Sequence, residues 1–197
     1  MTDPSELQEL LELGDISPEF VPSNNVSPGQ LVPVVTDLVT RNVEMFKWGL
    51  IPAWAKDPKI GYKMFNARAE TLTEKPSFRV PLARKRCLIL ADGFYEWKLE
   101  GDKKNPYLFT LKDRAPFTFA GLWDTWKDPE GRLVNSCTII TTRPNNLMVL
   151  YHDRMPVILG PSLRWQWLED QSTAALLKML NPISEDLMQL PQKIDHF

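Results

Sequence analysis

The sequence predicts an α+β fold, a mostly antiparallel twisted sheet or barrel-like core with helices at its margins. Three observations carry this. Short strand-like segments fill residues 31 to 142, turn signals such as EGDKK and DPEG separate them, and helical signals gather near the two ends of the chain. With 197 residues, 43% of them hydrophobic, the chain is long enough for one packed domain spanning 1–197, and no linker or repeat divides it.

The elements follow in order. Asp3 is placed to cap a first helix, Pro4 suits its first position, Glu6 completes a capping box, and Gly14 is a candidate end. Leu7, Leu10 and Leu11 would form its buried stripe. Residues 18–30 (PEFVPSNNVSPGQ) are too rich in Pro, Ser and Asn for regular structure and form a loop stiffened by three prolines. Strands are expected in LVPVVTDLV, VEMFKWGL, RCLILADGFYEWKLE, YLFTL, FTFAGLW and VNSCTIITT, with Pro33 placing the first at an edge. Pro144 to Tyr151 reads as a short helix, MPVIL as one more strand, and 161–180 as one or two helices ending at Asn181-Pro182. The weak periodicity of residues 181–197 predicts a loosely packed tail.

Composition narrows the function classes. No apolar run approaches the roughly 18 residues of a membrane helix, and the acidic N-terminus lacks the basic and apolar regions of a signal peptide, so a cytoplasmic protein is expected. Two histidines and no cysteine cluster leave a metal site without ligands, so neither metal nor cofactor is expected. Cys87 and Cys137 lie inside apolar strands, where a reduced thiol packs as a small hydrophobe. A net charge of −2 gives no global signature of nucleic-acid binding. The charge is uneven, however. Residues 1–30 hold six acids and no Lys or Arg, whereas 79–104 holds seven basic residues against four acids, which is either a solvated face or a local basic surface.

Three polar segments stand out. In Phe65-Asn66-Ala67-Arg68-Ala69-Glu70, strand alternation puts Asn66, Arg68 and Glu70 on one side, where an amide beside a guanidinium suits a sugar-phosphate. The plain alternative is a surface pair between Arg68 and Glu70. In Asp92-Gly93-Phe94-Tyr95-Glu96-Trp97-Lys98, a carboxylate among aromatics would be partly desolvated, which raises its pKa toward general acid–base use; otherwise Glu96 faces solvent. In Tyr151-His152-Asp153-Arg154, His152 is either a proton-transfer group, with Asp153 or Glu96 setting its tautomer, or a structural residue. Among seven tryptophans, Trp48, Trp54 and Trp97 sit in segments that suit base stacking, and the others default to core.

Taken together, WGLIPAWAKD, NARAET, CLILADGFYEWK, FAGLWDTW, TIITTRPN and HDRMPVIL resemble the SOS response-associated peptidase (SRAP) family over about residues 3 to 170. The resemblance implies a monomeric DNA-damage protein that recognises abasic sites in single-stranded DNA and couples this to autoproteolytic peptidase and lyase-like chemistry. In that family an N-terminal cysteine supplies an α-amine and a thiol, which together close a thiazolidine on the opened sugar. By resemblance Asn66 positions the amine and sugar, Glu96 shuttles protons, and His152 protonates the Schiff base. Arg68 matches the phosphate-binding arginine, Trp54 and Trp97 match aromatics that hold the strand at the lesion, Thr141 lines the site, and Asn25 matches the loop asparagine. The chain departs from the family at its start, Met1-Thr2-Asp3-Pro4 in place of Met-Cys-Gly-Arg-Phe, and at Ser23-Asn24, where the family has Arg-Tyr. Two explanations stay open: a short segment with the cysteine lies upstream, or this is a variant without covalent chemistry. Binding of single-stranded DNA without catalysis is the alternative function.

Overall fold

The computed structural model describes residues 2–194. Its elements are α1 (Pro4–Leu11), β1 (Leu31–Val35), β2 (Val43–Trp48), β3 (Asn66–Arg68), α2 (Pro76–Arg84), β4 (Arg86–Ala91), β5 (Phe94–Glu100), β6 (Lys103–Phe109), β7 (Phe117–Lys127), β8 (Leu133–Thr142), β9 (Met155–Pro156), β10 (Ile158–Leu159), α3 (Pro161–Arg164), α4 (Thr173–Lys178) and β11 (Gln192–Lys193). Strands β7, β4, β1, β2 and β8 close on themselves through the β7–β8 ladder, giving a five-stranded barrel in which only the β2–β8 pairing is parallel. A second sheet, β11–β6–β5, stands apart from it.

The barrel is α+β and mostly antiparallel, and its core explains the sequence pattern of β4. Cys87 and Ile89 point into the barrel with Val34, Phe46, Phe119 and Cys137, while Leu88 and Leu90 pack outward against Leu7, Leu11, Phe78, Leu82 and Trp167. A strand buried on both faces reads as a continuous apolar run, which is why CLILA shows no alternation. Trp167 is fully buried there, and its Nε1 donates to the carbonyls of Cys87 and Gly121. Arg86 crosses the same layer and donates to four carbonyls, those of Leu82, Ala83, Trp167 and Glu169.

Several local expectations are corrected. α1 is capped by Asp3, whose carboxylate accepts from the Ser5 amide, but it ends at Glu12 in a left-handed conformation rather than at Gly14. Gly14 is required for another reason: a Cβ there would lie 2.0 Å from the Thr40 carbonyl oxygen. Leu10 is 53% exposed, so the buried stripe is Leu7 and Leu11 alone. β1 is not an edge strand. It pairs with both β2 and β4, and Pro33 is tolerated because the β4 pairing is confined to Val34 and Val35. α2 interrupts the expected run of strands; Pro76 opens it at the first turn, and Pro81 inside it masks the helical signal. The helix expected over 144–151 is a single 3₁₀ turn at Met148–Leu150. MPVIL divides into β9 on β8 and β10 on β7. After residue 180, where a loose tail was expected, Met188 is buried and β11 pairs with β6; residues 195–197 of that segment lie outside the described ones.

Candidate functional site

β8 organises the site. Along one edge it pairs first with β2 and then with β3, so the chain leaves this lane after Trp48 and returns to it at Asn66. The departure depends on Gly49, whose φ of +135° is open to glycine and where a Cβ would stand 2.6 Å from the Gly61 carbonyl oxygen. The parallel β3–β8 register sets Asn66 beside Ile139 and Arg68 beside Thr141. Alternation buries Ala67 and exposes Asn66 and Arg68 on one face. That face lines a cavity of about 260 Å³ with Lys63, Thr71, Lys75 and Ser77, a cleft with three cationic side chains and no carboxylate.

Thr141 is the junction between this cleft and the histidine. Its carbonyl accepts from Arg154 Nη2 at 2.7 Å, and Arg154 also grips Glu70 through two bonds of 2.9 and 2.8 Å. Glu70 therefore pairs with Arg154 rather than with Arg68, and this pairing holds its carboxyl below the usual range. The backbone N–H of Arg154 in turn donates to His152 Nδ1 at 3.0 Å. The Arg154 carbonyl oxygen lies 3.2 Å from the same nitrogen, so the Arg154 backbone holds the ring through Nδ1 in either tautomer. Asp153 Oδ1 lies 3.3 Å from the same nitrogen.

Glu96 lies on β5, opposite Tyr107 of β6. Burial raises its carboxyl above the ordinary value, while the charge of His152 opposes the rise and that of Asp153 adds to it, so Glu96, His152 and Asp153 share one electrostatic environment. The link is structural as well: Tyr107 packs edge-to-face on Tyr151, the residue before His152. Backbone pairing thus sets Arg68 beside Thr141, and Arg154 bonds both the Thr141 carbonyl and His152.

The remaining residues flank this centre. Trp54 is 60% exposed at the tip of a separate turn. Trp97 is 43% exposed, but alternation along β5 puts it with Pro106 on the face opposite Glu96. Asn25 is exposed in a turn where its amide donates to Ser23 Oγ, and Tyr95 Oη anchors this loop by donating to the Asn24 carbonyl. Thr2, at the start of the described chain, donates through its amide to Asp92 on the turn that leads into β5. Sequence reasoning gave no role to Arg154, Lys63 or Lys75. The two lysines were detectable as basic residues bracketing Asn66 and Arg68, whereas nothing in the sequence connected Arg154 to Glu70. Among the described residues no cluster of three or more His, Cys, Asp or Glu is arranged to hold a metal, and no helix is long and apolar enough to cross a membrane.

A small mixed barrel with a cationic cleft at β3, linked through Thr141 and Arg154 to His152, defines a class of proteins with a built polar site. The chain belongs to the SOS response associated peptidase (SRAP) family, whose sequence profile matches residues 1–193. It is 48% identical to the abasic site processing protein YoqW of Bacillus subtilis, over 95% of this chain and 88% of that protein. It is 35% identical to the abasic site processing protein HMCES of Xenopus tropicalis, over 85% of this chain and 60% of that protein. Among solved structures, a Bordetella bronchiseptica protein superposes with a TM-score of 0.87 at 27% identity, covering 100% of this chain and 97% of the other. A Bacteroides thetaiotaomicron protein gives 0.80 at 35% identity, over 84% and 74%.

Proposed function

We propose that this chain recognises abasic sites in single-stranded DNA, with Asn66, Glu96 and His152 around the opened sugar and Arg68, Trp54, Trp97, Thr141 and Asn25 along the strand. The carrying observation is the Thr141–Arg154 junction, which couples the cationic cleft of Asn66 and Arg68 to His152. The names of the relatives above support the same substrate.

The chemistry suits such a lesion. An abasic sugar offers no base edge, so recognition falls on its hydroxyls, its carbonyl and the flanking phosphates. Opening the sugar ring needs a proton delivered to the ring oxygen and one removed from the anomeric hydroxyl. A carboxyl whose proton affinity is raised by burial, within the field of an imidazole, suits such proton transfers. Asn66 supplies an amide for the sugar, and Arg68 a planar fork for a phosphate.

The test is fluorescence anisotropy with matched oligonucleotides, one intact and one with a single abasic site. Asn66→Ala and Glu96→Gln are expected to erase the preference for the abasic strand, and Arg68→Ala to weaken binding to both strands. Equal binding of the two strands by the unaltered protein overturns the proposal.

Binding without a covalent step is a narrower reading favoured by one observation. Both cysteines of the described chain, Cys87 and Cys137, are buried in the barrel with thiols pushed up by desolvation, so neither offers a nucleophile to a DNA sugar. A heat-stable adduct of this chain with the abasic strand on a denaturing gel would exclude that reading.

A further inference from the structure

Trp54 is presented by a turn that is braced far more heavily than an exposed loop requires. The Ala55 amide donates to the Pro52 carbonyl at 2.8 Å, closing a four-residue turn whose ends are buried and whose tip, Ala53-Trp54, is exposed. Three side chains hold this turn from one face of the β7–β8 ladder. Ser136 Oγ accepts from the Ile51 amide at 2.8 Å, Asp124 Oδ2 accepts from the Ala53 amide at 2.8 Å, and Trp126 Nε1 donates to the Ala55 carbonyl at 2.7 Å. Asp124 and Ser136 are directly paired across the ladder, and Trp126 is two residues from Asp124, so all three project on the same side. Beneath the turn, Ile51, Ala55 and Trp126 form a small apolar cluster of their own. Asp124 is itself fixed: its other oxygen accepts from Lys85 Nζ at 2.6 Å and from the Thr125 amide.

Every second backbone position from 51 to 55 is thus tied down, and the side chain the turn displays is a large aromatic left largely in water. Ordering a loop before a ligand arrives removes an entropic cost from binding. Stacking on a base requires a ring held at a set height and tilt, with no hydrogen bond to correct an error.

We propose that Asp124, with Ser136 and Trp126, is a positioning residue that pre-sets Trp54 to stack against an unpaired nucleobase. This rests on the single-stranded DNA reading above and extends it to three residues that touch no DNA. The ligand is a base flanking the lesion, because the abasic position has no ring to offer. Trp126 and Ser136 therefore serve more than core packing.

The experiment is a double-mutant cycle for binding of an oligothymidylate to the full chain, read by anisotropy. Trp54→Ala is expected to weaken binding about tenfold, within the range of one stacked base, and the pair Ser136→Ala, Trp126→Phe, which loosens the ring without removing it, about threefold. Asp124→Ala should do likewise, with Asp124→Asn, which keeps an acceptor for Ala53, recovering most of the loss. In a Trp54→Ala background the brace variants should have no further effect, since they act through that ring. Additive losses in that background overturn the proposal.

Fluorine NMR of protein labelled with 5-fluorotryptophan, the Trp54 signal being assigned with Trp54→Phe, reads the brace without DNA. The signal is expected to broaden or shift in the Ser136→Ala, Trp126→Phe variant, and an unchanged signal also overturns the proposal. Failure of the unaltered protein to bind oligothymidylate would instead overturn the DNA reading and leave the NMR result to decide the brace.

Discussion

Arg68 offers a prediction whose size follows from its surroundings. Its side chain is exposed on β3 in the cleft with Lys63 and Lys75, and among the described residues no hydrogen bond holds its guanidinium. Truncation therefore removes a cation without breaking the fold, and Arg68→Ala should shift stability by no more than about 0.5 kcal/mol. If the guanidinium neutralises one phosphate of a single strand, losing it lowers the slope of log K against log salt by about 0.7. At roughly 0.1 M salt one such contact is worth a factor of about five in affinity, or about 1 kcal/mol. The assay is anisotropy with an oligothymidylate at four salt concentrations, with a thermal melt of each variant. Arg68→Lys should keep the slope and lose part of the affinity, because it retains the charge but not the fork. Arg154→Ala is the contrast: it breaks the bidentate Glu70 pair and the bond to the Thr141 carbonyl, so it should lower the melting temperature as well. An unchanged salt slope in Arg68→Ala would refute the assignment of this cleft to phosphate.

Three further outcomes follow from the geometry. Glu96 has a raised carboxyl in the folded state, so its ionisation costs stability as pH climbs above the unfolded value near 4.5; Glu96→Gln should melt like the parent near pH 4 and above it near pH 7, and an identical difference at both would show the burial cause to be wrong. Glu100 is held down to about 2 by bonds from Lys193, Tyr107 and Asn105; the stability it contributes is complete above about pH 4.5 and lost as pH falls toward 2, and Glu100→Gln should flatten that acid limb of the melting curve. Arg86 is 8% exposed and serves four carbonyls, so Arg86→Met should destabilise by about 3–5 kcal/mol in a urea titration, with a loss under about 1 kcal/mol refuting the account.

Local chemistry made part of this molecule legible from its sequence. Asp3 and Pro4 announced α1, and the strand segments were placed within a few residues of β1, β2, β4, β5, β7 and β8. The failures have physical causes. Leu10 is apolar but lies off the packed arc of a helix barely two turns long, so periodicity overcounted the stripe. Gly14 was read as a cap because αL is glycine's commonest use, whereas here the missing Cβ makes room for the Thr40 carbonyl. Pro33 argued for an edge because one proline usually denies a strand its second neighbour, but a pairing only two residues long can begin just after it. A barrel-like core is among the expectations, but which strands close it leaves no local signal: β7 and β8 form a hairpin across the 128–132 turn, whereas closure needs the β2–β8 and β1–β4 pairings between segments far apart in the chain.

The candidate site divides along the same line. Asn66 stands out as an amide two positions from a guanidinium, Glu96 as a carboxylate among aromatics, and His152 as a histidine beside an aspartate in a loop, each visible within a few residues. Arg154 binds Glu70 84 positions away while its own amide bonds His152 Nδ1, which ties the His152 turn to the segment that follows Asn66 and Arg68. A salt bridge of that span leaves no trace in composition or period, because neither partner is unusual where it stands. The same holds for the brace under Trp54: Asp124, Trp126 and Ser136 look like ordinary strand residues until the β7–β8 register places them under one turn. Groups that touch a ligand are conspicuous in sequence because their chemistry is out of place. Groups that aim them are not, because their chemistry is ordinary and only their address in the fold is special.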